Sequence, residues 1–374
     1  MDGGVNANAP KGKNSSLAAA KKAKADEFYT QLSDIERELR HYKKHFKGKT
    51  VYLNCDDPRV SNFFHYFSYN FETLGLKKLI AACYKSQEVD LFSENADPQA
   101  IYLVYEGDKN GSGMPELDEI GVKQFKGDGD FRSEESIELL KEADIVVSNP
   151  PFSLFREYVA QLMEYDKKFV ILGNQNTLTT KEIFELVRAN KLWLGYNNGD
   201  MSFRVPAHYP PRETRFWIDE NGQKWRSFGT MCWLTNLDIA KRHEDLLVWK
   251  SYDPELYPSY DNFDGIDVGK TADIPADYDG VMGVPVGFLT KHNPDQFEIV
   301  GITKSWAKLA TKKYPTQIQV SATGKRSEVG KLNDGAVLQV DTPPARKTHY
   351  IVDGKTYIQT YPRILIRRRS NGVS

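Results

Sequence analysis

Residues 144–152, Asp-Ile-Val-Val-Ser-Asn-Pro-Pro-Phe, constrain this chain more than any other stretch. Asp144 to Ser148 is short, apolar and β-branched, the pattern of a buried strand. The strand has to end at Asn149, because Pro150 and Pro151 remove two backbone donors and fix φ twice. Ser153 then offers an N-cap, and Leu154, Phe155, Tyr158, Val159 and Leu162 recur at helical spacing. A strand, a stiff corner and a helix in that order put the corner at the carboxyl end of a sheet strand, where open α/β sheets bind ligands.

The corner has its own chemistry. The Asn149 amide oxygen and the Pro150 carbonyl are two acceptors able to grip one planar amino group, and Phe152 offers a flat face for stacking. An amino nitrogen conjugated to a ring is a weak nucleophile. Acceptors that hold its hydrogens favour the pyramidal form that develops in the transition state. No metal and no side-chain nucleophile is needed. The same letters also suit a proline-terminated strand without chemistry, and the strand before and helix after favour the functional reading.

The bulk numbers exclude several classes. With 374 residues, 40% hydrophobic and 27% charged, the chain is long enough for two globular domains. No apolar run is long enough for a membrane helix, and the lysine-bearing start has no apolar signal core, so no membrane partner is expected. Three scattered cysteines (Cys55, Cys83, Cys232) argue for a reducing compartment, against a disulfide framework and against a zinc site. A net charge of −1 is not that of a small basic nucleic-acid binder, though a basic cleft on a balanced body is compatible with it.

Read in order, residues 1–25 are a Lys-rich, low-complexity tail, expected to be disordered. Ser33-Asp34-Ile35-Glu36 has the form of a capping box and predicts a helix from Ser33 to about Phe46. His41 and His45, one turn apart, have no third ligand nearby and read as a solvated face. Gly48-Lys49-Thr50 lacks the upstream glycine of a phosphate loop. Thr50 to Leu53 is a strand leading to Asn54-Cys55-Asp56-Asp57-Pro58, a loop without the glycines common at cofactor turns. Leu76 to Tyr84 is a helix end or second strand, and Ile101 to Tyr105 a strand. Asp108, Asn110, Ser112, Gly113 and Glu119 have nearly the spacing of a calcium loop, but the strand before them and Pro115 favour a β-hairpin loop.

Asp128, Asp130 and Phe131 lie in a compact acidic turn whose carboxylates suit the exocyclic amine of a nucleoside, and Ser133 caps the helix that follows. Phe169 to Gly173, Lys181 to Asn190 and Leu192 to Gly195 predict strand, helix and strand, hence a largely parallel sheet. From Phe203 onward Arg204, Arg212, Arg215, Lys224 and Arg226 interleave with aromatic residues, which suits phosphates and bases and equally an antiparallel hairpin with one wet face. Thr230 to Leu234 closes that hairpin. Lys304, Lys325 and Arg326 add basic residues to a C-terminal part of mixed strands.

Asn-Pro-Pro-Phe behind an apolar strand resembles the catalytic motif of S-adenosylmethionine-dependent amino-methyltransferases. The wider sequence resembles the EcoRI-type adenine-specific DNA methyltransferases. The likeness rests on Asp-Glu-Phe-Tyr-Thr at 26–30, Asn-Cys-Asp-Asp-Pro at 54–58, Gly-Asp-Gly-Asp-Phe-Arg-Ser at 127–133, Asn-Pro-Pro-Phe-Ser-Leu-Phe at 149–155 and Gly-Asn at 173–174. Asn-Pro-Asp-Gln-Phe-Glu-Ile at 293–299 and the terminal Arg-Ile-Leu-Ile-Arg-Arg extend it over nearly everything after residue 25.

The resemblance implies an α/β fold: a Rossmann-like methyltransferase sheet with an antiparallel hairpin in a catalytic domain over 26–250, and an α+β target-recognition region over 251–374. It implies S-adenosylmethionine as cofactor and N6-methylation of a flipped-out adenine in double-stranded DNA, for restriction–modification or protection. A cognate nuclease would not be required for activity, and the setting would be the cytoplasm of a prokaryote, or phage-encoded. By the same carry-over, Asn149, Pro150, Pro151 and Phe152 grip the target adenine. Phe28, Tyr29, Thr30, Asn54, Asp56, Asp57 and Pro58 lie at the cofactor, and Asp128 or Asp130, with Phe131, at its adenine ring. The DNA-contact candidates are Arg204, Arg212, Arg215, Lys224, Arg226, Lys304, Lys325 and Arg326. An RNA or protein-amide methyltransferase would share the corner, but with a glycine-rich first loop and a smaller C-terminal part. A DNA-binding protein that has lost catalysis at the glycine-free loop is the non-enzymatic alternative.

Overall fold

A computed structural model of the chain describes residues 28–55, 61–82, 100–112, 114–116, 118–207 and 209–369. The expected tail at 1–25 and the candidates Asp56, Asp57 and Pro58 lie outside the described residues. The fold is mixed α/β with several sheets, the largest of them built around parallel strands.

The largest sheet has ten strands: β1 (Tyr29–Thr30), β2 (Thr50–Asn54), β3 (Lys78–Ala82), β4 (Ile101–Tyr105), β5 (Gly121–Gln124), β6 (Ile145–Ser148), β7 (Lys168–Asn174), β8 (Trp193–Arg204), β9 (Phe216–Ile218) and β10 (Lys224–Thr235). Their order is β1-β8-β10-β7-β6-β2-β3-β4-β5, with β9 pairing β10. The four central strands, β7, β6, β2 and β3, run parallel, while β10 and β4 flank them antiparallel. Every residue of β2 and β6 is buried, as expected of strands covered on both faces. The chain passes from β2 to β3 on one side and later returns to β6 on the other. The order therefore reverses between β2 and β6, and ligands bind at such a switch, beyond the carboxyl ends of the strands.

Asp144 fixes the opposite end of the same pair. Its carboxylate accepts from the Thr50 backbone N–H at 2.8 Å, and its own N–H donates to the Thr50 carbonyl at 2.9 Å. Both strands are thus aligned where they start, so the polar residues at their far ends, Asn54 and Ser148–Asn149, come out together.

Several local expectations are corrected. The predicted helix from Ser33 is two pieces, α1 (Leu32–Leu39) and a short turn at Lys43–Phe46, and Gln31 rather than Ser33 is the N-cap, with no side-chain cap. The break follows from Glu38. Fully buried, it accepts from the Tyr42 hydroxyl and from the backbone and side-chain nitrogens of Asn197, each at 2.8 Å, which draws the chain inward after Leu39. Nor is Ser153 a cap. A 3-10 turn, Phe152–Leu154, closes on the Pro151 carbonyl, and the helix starts at Phe155. Strand β8 runs well past Gly195, because Asn197 in its turn-like Asn-Asn-Gly stretch is held by Glu38.

Other elements agree with the pattern. Helix α2 (Asn62–Tyr69) buries its aromatic face, α3 (Glu134–Glu142) is capped by Ser133, whose hydroxyl accepts from Ser136 N at 3.2 Å, and α4 (Phe155–Glu164) buries Phe155, Tyr158, Val159 and Leu162. The segment between β4 and β5 is a hairpin loop. Glu119 accepts the backbone N–H groups of Lys109 and Asn110, and Asp108 that of Gly111. Its carboxylates cap the loop's own backbone.

The chain forms two compact units that are discontinuous in sequence: residues through Asn174 with Asn197–Leu237, and Gln175–Tyr196 with Asp238 onward. The second unit holds α5 (Lys181–Arg188) and two further sheets. One is built from β11 (Ile266–Asp267), β12 (Met282–Pro285), β13 (Phe297–Ile302) and β19 (Arg363–Arg368), in the order β11-β12-β19-β13. The other contains β14 (Gln317–Val320), β15 (Arg326–Val329), β16 (Val337–Val340), β17 (His349–Val352) and β18 (Lys355–Gln359), in the order β15-β14-β17-β18-β16. An α+β region was expected after residue 250. The described residues there form strands and 3-10 turns without an α-helix. In the basic stretch 304–313 a single 3-10 turn ends at Lys308, which has φ 56°, so no helix propagates.

Candidate active site

At the carboxyl ends of β2 and β6 the structure gathers polar groups under aromatic cover. Ser148 donates its hydroxyl to the Asn54 carbonyl, and the Tyr158 hydroxyl donates to Asn54 Oδ1. Tyr158 is fully buried, and burial, its main perturbation, holds its phenol well above the usual range, so it stays a neutral donor. These bonds lock the end of β2 to the end of β6 and to α4.

Asn149 follows directly and is buried, as is Pro150. The Asn149 side-chain nitrogen donates to the backbone carbonyl of Phe28, 121 residues away in sequence. This bond fixes which end of the amide is which: Nδ2 faces Phe28, and Oδ1 is the end that accepts. Pro150 offers its carbonyl beside it and no N–H. Pro151 and Phe152 are half-buried at the rim.

Phe28 is the centre of an aromatic cluster. Its ring stacks on Phe152 at 5.4 Å between centroids and 22° between planes. Phe228, Phe203 and Tyr209 meet it edge-on at 4.9, 5.8 and 5.9 Å, and Phe228 also stands edge-on to Phe152 at 6.3 Å. β1 holds Phe28 in place by pairing Tyr29 with Arg204 and Thr30 with Phe203 on β8. The Thr30 carbonyl accepts from Asn62 Nδ2 at 2.7 Å, whereas its hydroxyl is buried and without a hydrogen-bond partner among the described residues. An unpartnered buried hydroxyl is uncommon and calls for an explanation.

The acidic turn joins the site through Phe131, whose ring meets Tyr158 edge-on at 5.2 Å and whose carbonyl accepts from Gln161 at 3.0 Å. Its two aspartates differ. Burial disfavours ionisation of Asp130, but hydrogen bonds from the Arg132 side chain and backbone hold its carboxyl below the usual range. That carboxylate is committed to Arg132. Asp128 is exposed and accepts from Asp130 N at 3.1 Å.

The structure thus brings together Phe28, Tyr29, Thr30, Asn54, Phe131, Asn149, Pro150, Pro151 and Phe152. Ser148, Tyr158 and Phe228 were not singled out from the sequence, and Phe203 and Tyr209 only as aromatics of the basic stretch. Tyr158 sits on an apolar helix stripe and reads as core, Ser148 closes an apolar strand, and the other three are strand or loop aromatics whose partners lie far off in the chain.

The basic candidates have varied settings. The Arg204 guanidinium lies over the Tyr29 ring at 5.0 Å, and Arg212 over Tyr209 at 6.0 Å. Arg215, at φ 56°, pairs with Asp200 at 3.0 Å. Lys224 donates to the carbonyls of Ala207 and Tyr209, and Arg226 to that of Thr214, so both pin the loop between β8 and β9. Lys304 in the second unit is half-buried, whereas Lys325 and Arg326 are exposed at the β14–β15 hairpin. No group of three or more His, Cys, Asp or Glu able to hold a metal ion occurs among the described residues, and no described helix is long and apolar enough to cross a membrane.

Comparison with known proteins adds independent evidence. The family model described as adenine-specific methyltransferase EcoRI matches residues 16–369. The chain is 54% identical over 295 residues to the type II methyltransferase M.EcoRI of Escherichia coli, covering 78% of this chain and 90% of that protein. It is 38% identical over 321 residues to the type II methyltransferase M.MgeORF184P of Mycoplasma genitalium, covering 83% and 94%. To M.MpnI of Mycoplasma pneumoniae, another type II methyltransferase, it is 36% identical over 319 residues, covering 83% and 93%. No solved structure matches the chain. A family match over almost the whole length, together with a site built around Asn149 to Phe152, identifies the chain as a member of the EcoRI family of adenine-specific methyltransferases.

Proposed function

We propose that the chain transfers a methyl group from S-adenosylmethionine to N6 of an adenine flipped out of double-stranded DNA, at one short sequence, in restriction–modification or protection of DNA. The observation that carries this reading is the Asn149 amide, buried and held through Nδ2 by the Phe28 carbonyl, beside the donor-less Pro150 carbonyl and the Phe152 ring.

Asn149 Oδ1 and Pro150 O accept the two hydrogens of the adenine amino group. They draw the nitrogen lone pair out of conjugation as the transition state forms, and because both are fixed beforehand they need no reorganisation. Phe152 stacks on the base. The surrounding aromatic rings exclude water, which strengthens the polar contacts. A base inside a duplex cannot reach these groups, so flipping is required, at a cost of a few kcal/mol.

Bound S-adenosylmethionine would supply an electrophilic methyl group on a sulfonium. The residues fit it: the buried Thr30 hydroxyl, without a partner among the described residues, offers a hydrogen bond at the end of β1, and Asn54 ends β2 at the switch point, just before Asp56, Asp57 and Pro58 in sequence. Asp128 rather than Asp130 is the carboxylate for the cofactor's adenine, since Asp130 is held by Arg132. In this reading the ten-stranded sheet is the Rossmann-like catalytic core of a domain over 26–250, and 251–374 reads the target. The enzyme works on DNA in the cytoplasm of the bacterial cell, and no cognate nuclease is needed for turnover.

The test is transfer of radiolabelled methyl from S-adenosylmethionine by the purified protein, offered DNA, RNA and protein in parallel, with nucleoside analysis of the product. Label in DNA as N6-methyladenine is expected. Label only in RNA or protein would overturn the substrate, and no cofactor binding would favour a DNA-binding protein without catalysis.

A further inference from the structure

The Phe28–Phe152 stack has a consequence for how the base enters. Stacked aromatic rings in direct contact have centroids ~4.5–7 Å apart, so at 5.4 Å nothing planar fits between these two. Yet Phe28 is tied by its own carbonyl to the amide that has to hold the adenine, and its ring covers a face of the aromatic residue on which that adenine stacks.

We propose that Phe28 is a placeholder in the target-base slot: the flipped adenine inserts between Phe28 and Phe152, parting the two rings, and Phe28 then forms the second wall of the slot. This rests on the reading of Asn149 to Phe152 as the base-holding corner. It makes Phe28 a residue of the base slot rather than of the cofactor site. The exchange is chemically even, because a ring–ring contact is replaced by two ring–base contacts, and stacking of this kind is indifferent to hydrogen-bond pattern. The closed stack keeps water off the Asn149 and Pro150 acceptors before DNA arrives. Phe228, edge-on to both rings, sets the back of the slot. The Phe28 backbone need not move when its ring does, so the Asn149 amide keeps its orientation while the slot opens.

The experiment is photocrosslinking with DNA carrying 5-iodouracil in place of the target adenine, at the site found by methylation mapping. Crosslinked peptides are identified by mass spectrometry on the full-length wild-type protein. Crosslinks to both Phe28 and Phe152 are expected. Crosslinks to Phe152 alone would overturn the placeholder while leaving the base-holding corner intact, and crosslinks to neither would overturn both. A second arm uses Phe28→Leu, which keeps an apolar side chain but removes the flat face. Its kcat/KM for DNA should fall at least ~10-fold with S-adenosylmethionine binding unchanged. An unchanged kcat/KM, or a loss confined to cofactor affinity, would count against the assignment.

Discussion

In the reaction proposed here, the Asn149 side chain, held through Nδ2 by the Phe28 carbonyl, supplies one of the two acceptors for the amino group. Asn149→Ala should therefore lower kcat by roughly 10²–10³-fold or more, with DNA affinity within a few-fold of wild type. Gel-shift and single-turnover measurements separate the two, and loss of DNA binding as the main defect would contradict the role. Tyr158 is a different kind of residue. Tyr158→Phe leaves Asn54 Oδ1 without its buried donor, which should cost about 1–3 kcal/mol in urea unfolding and loosen the end of β2, seen as weaker cofactor binding by calorimetry. His292 contributes to pH dependence in the second unit. Burial, helped by Arg242 and Arg369, lowers it to about 4 against the single hydrogen bond to the Phe297 carbonyl. A histidine held neutral in the native state binds its proton first in the unfolded state. Its contribution is therefore fully present above pH ~6.5 and is lost as pH falls towards about 4, by up to about 1.4 kcal/mol per pH unit. Urea midpoints across pH 4–7 should show that slope, and His292→Gln should flatten it.

Among the elements, the parallel core was legible because its strands are continuous apolar runs: Thr50 to Leu53, Phe169 to Gly173 and Asp144 to Ser148 all found their strands. What failed was local chemistry overridden by distant contacts. Ser33 has the letters of a capping box, but Glu38 and Asn197 decide where the chain turns. Ser153 resembles an N-cap, but the 3-10 turn on Pro151 delays the helix by one residue. Gly173 on β7 is where packing leaves no slack. A methyl group added there would lie 2.9 Å from Leu234 Cδ1 and from two carbons of the Phe155 ring. Gly173→Ala should therefore cost about 1–3 kcal/mol by overpacking the seam of β7, β10 and α4. A thermal midpoint equal to wild type would show that the seam yields more easily than its distances indicate.

Across the whole molecule, the corner proposed as catalytic could be read from nine consecutive residues because its features are local: two acceptors, two prolines and a ring. The aromatic slot could not, since Phe28, Phe152, Phe203, Tyr209 and Phe228 come from five separate places, and only the pairing of β1 with β8 and the sheet order bring them together. Likewise, basic–aromatic interleaving from Phe203 did not reveal that Lys224 and Arg226 fasten their own loop. The most direct test of the account is methylation-sensitive long-read sequencing of DNA from cells expressing the chain, beside cells expressing Asn149→Ala. N6-methyladenine at one short motif, absent with the variant, is the predicted result. Unmodified adenine at every motif in cells that contain the folded wild-type protein would contradict it.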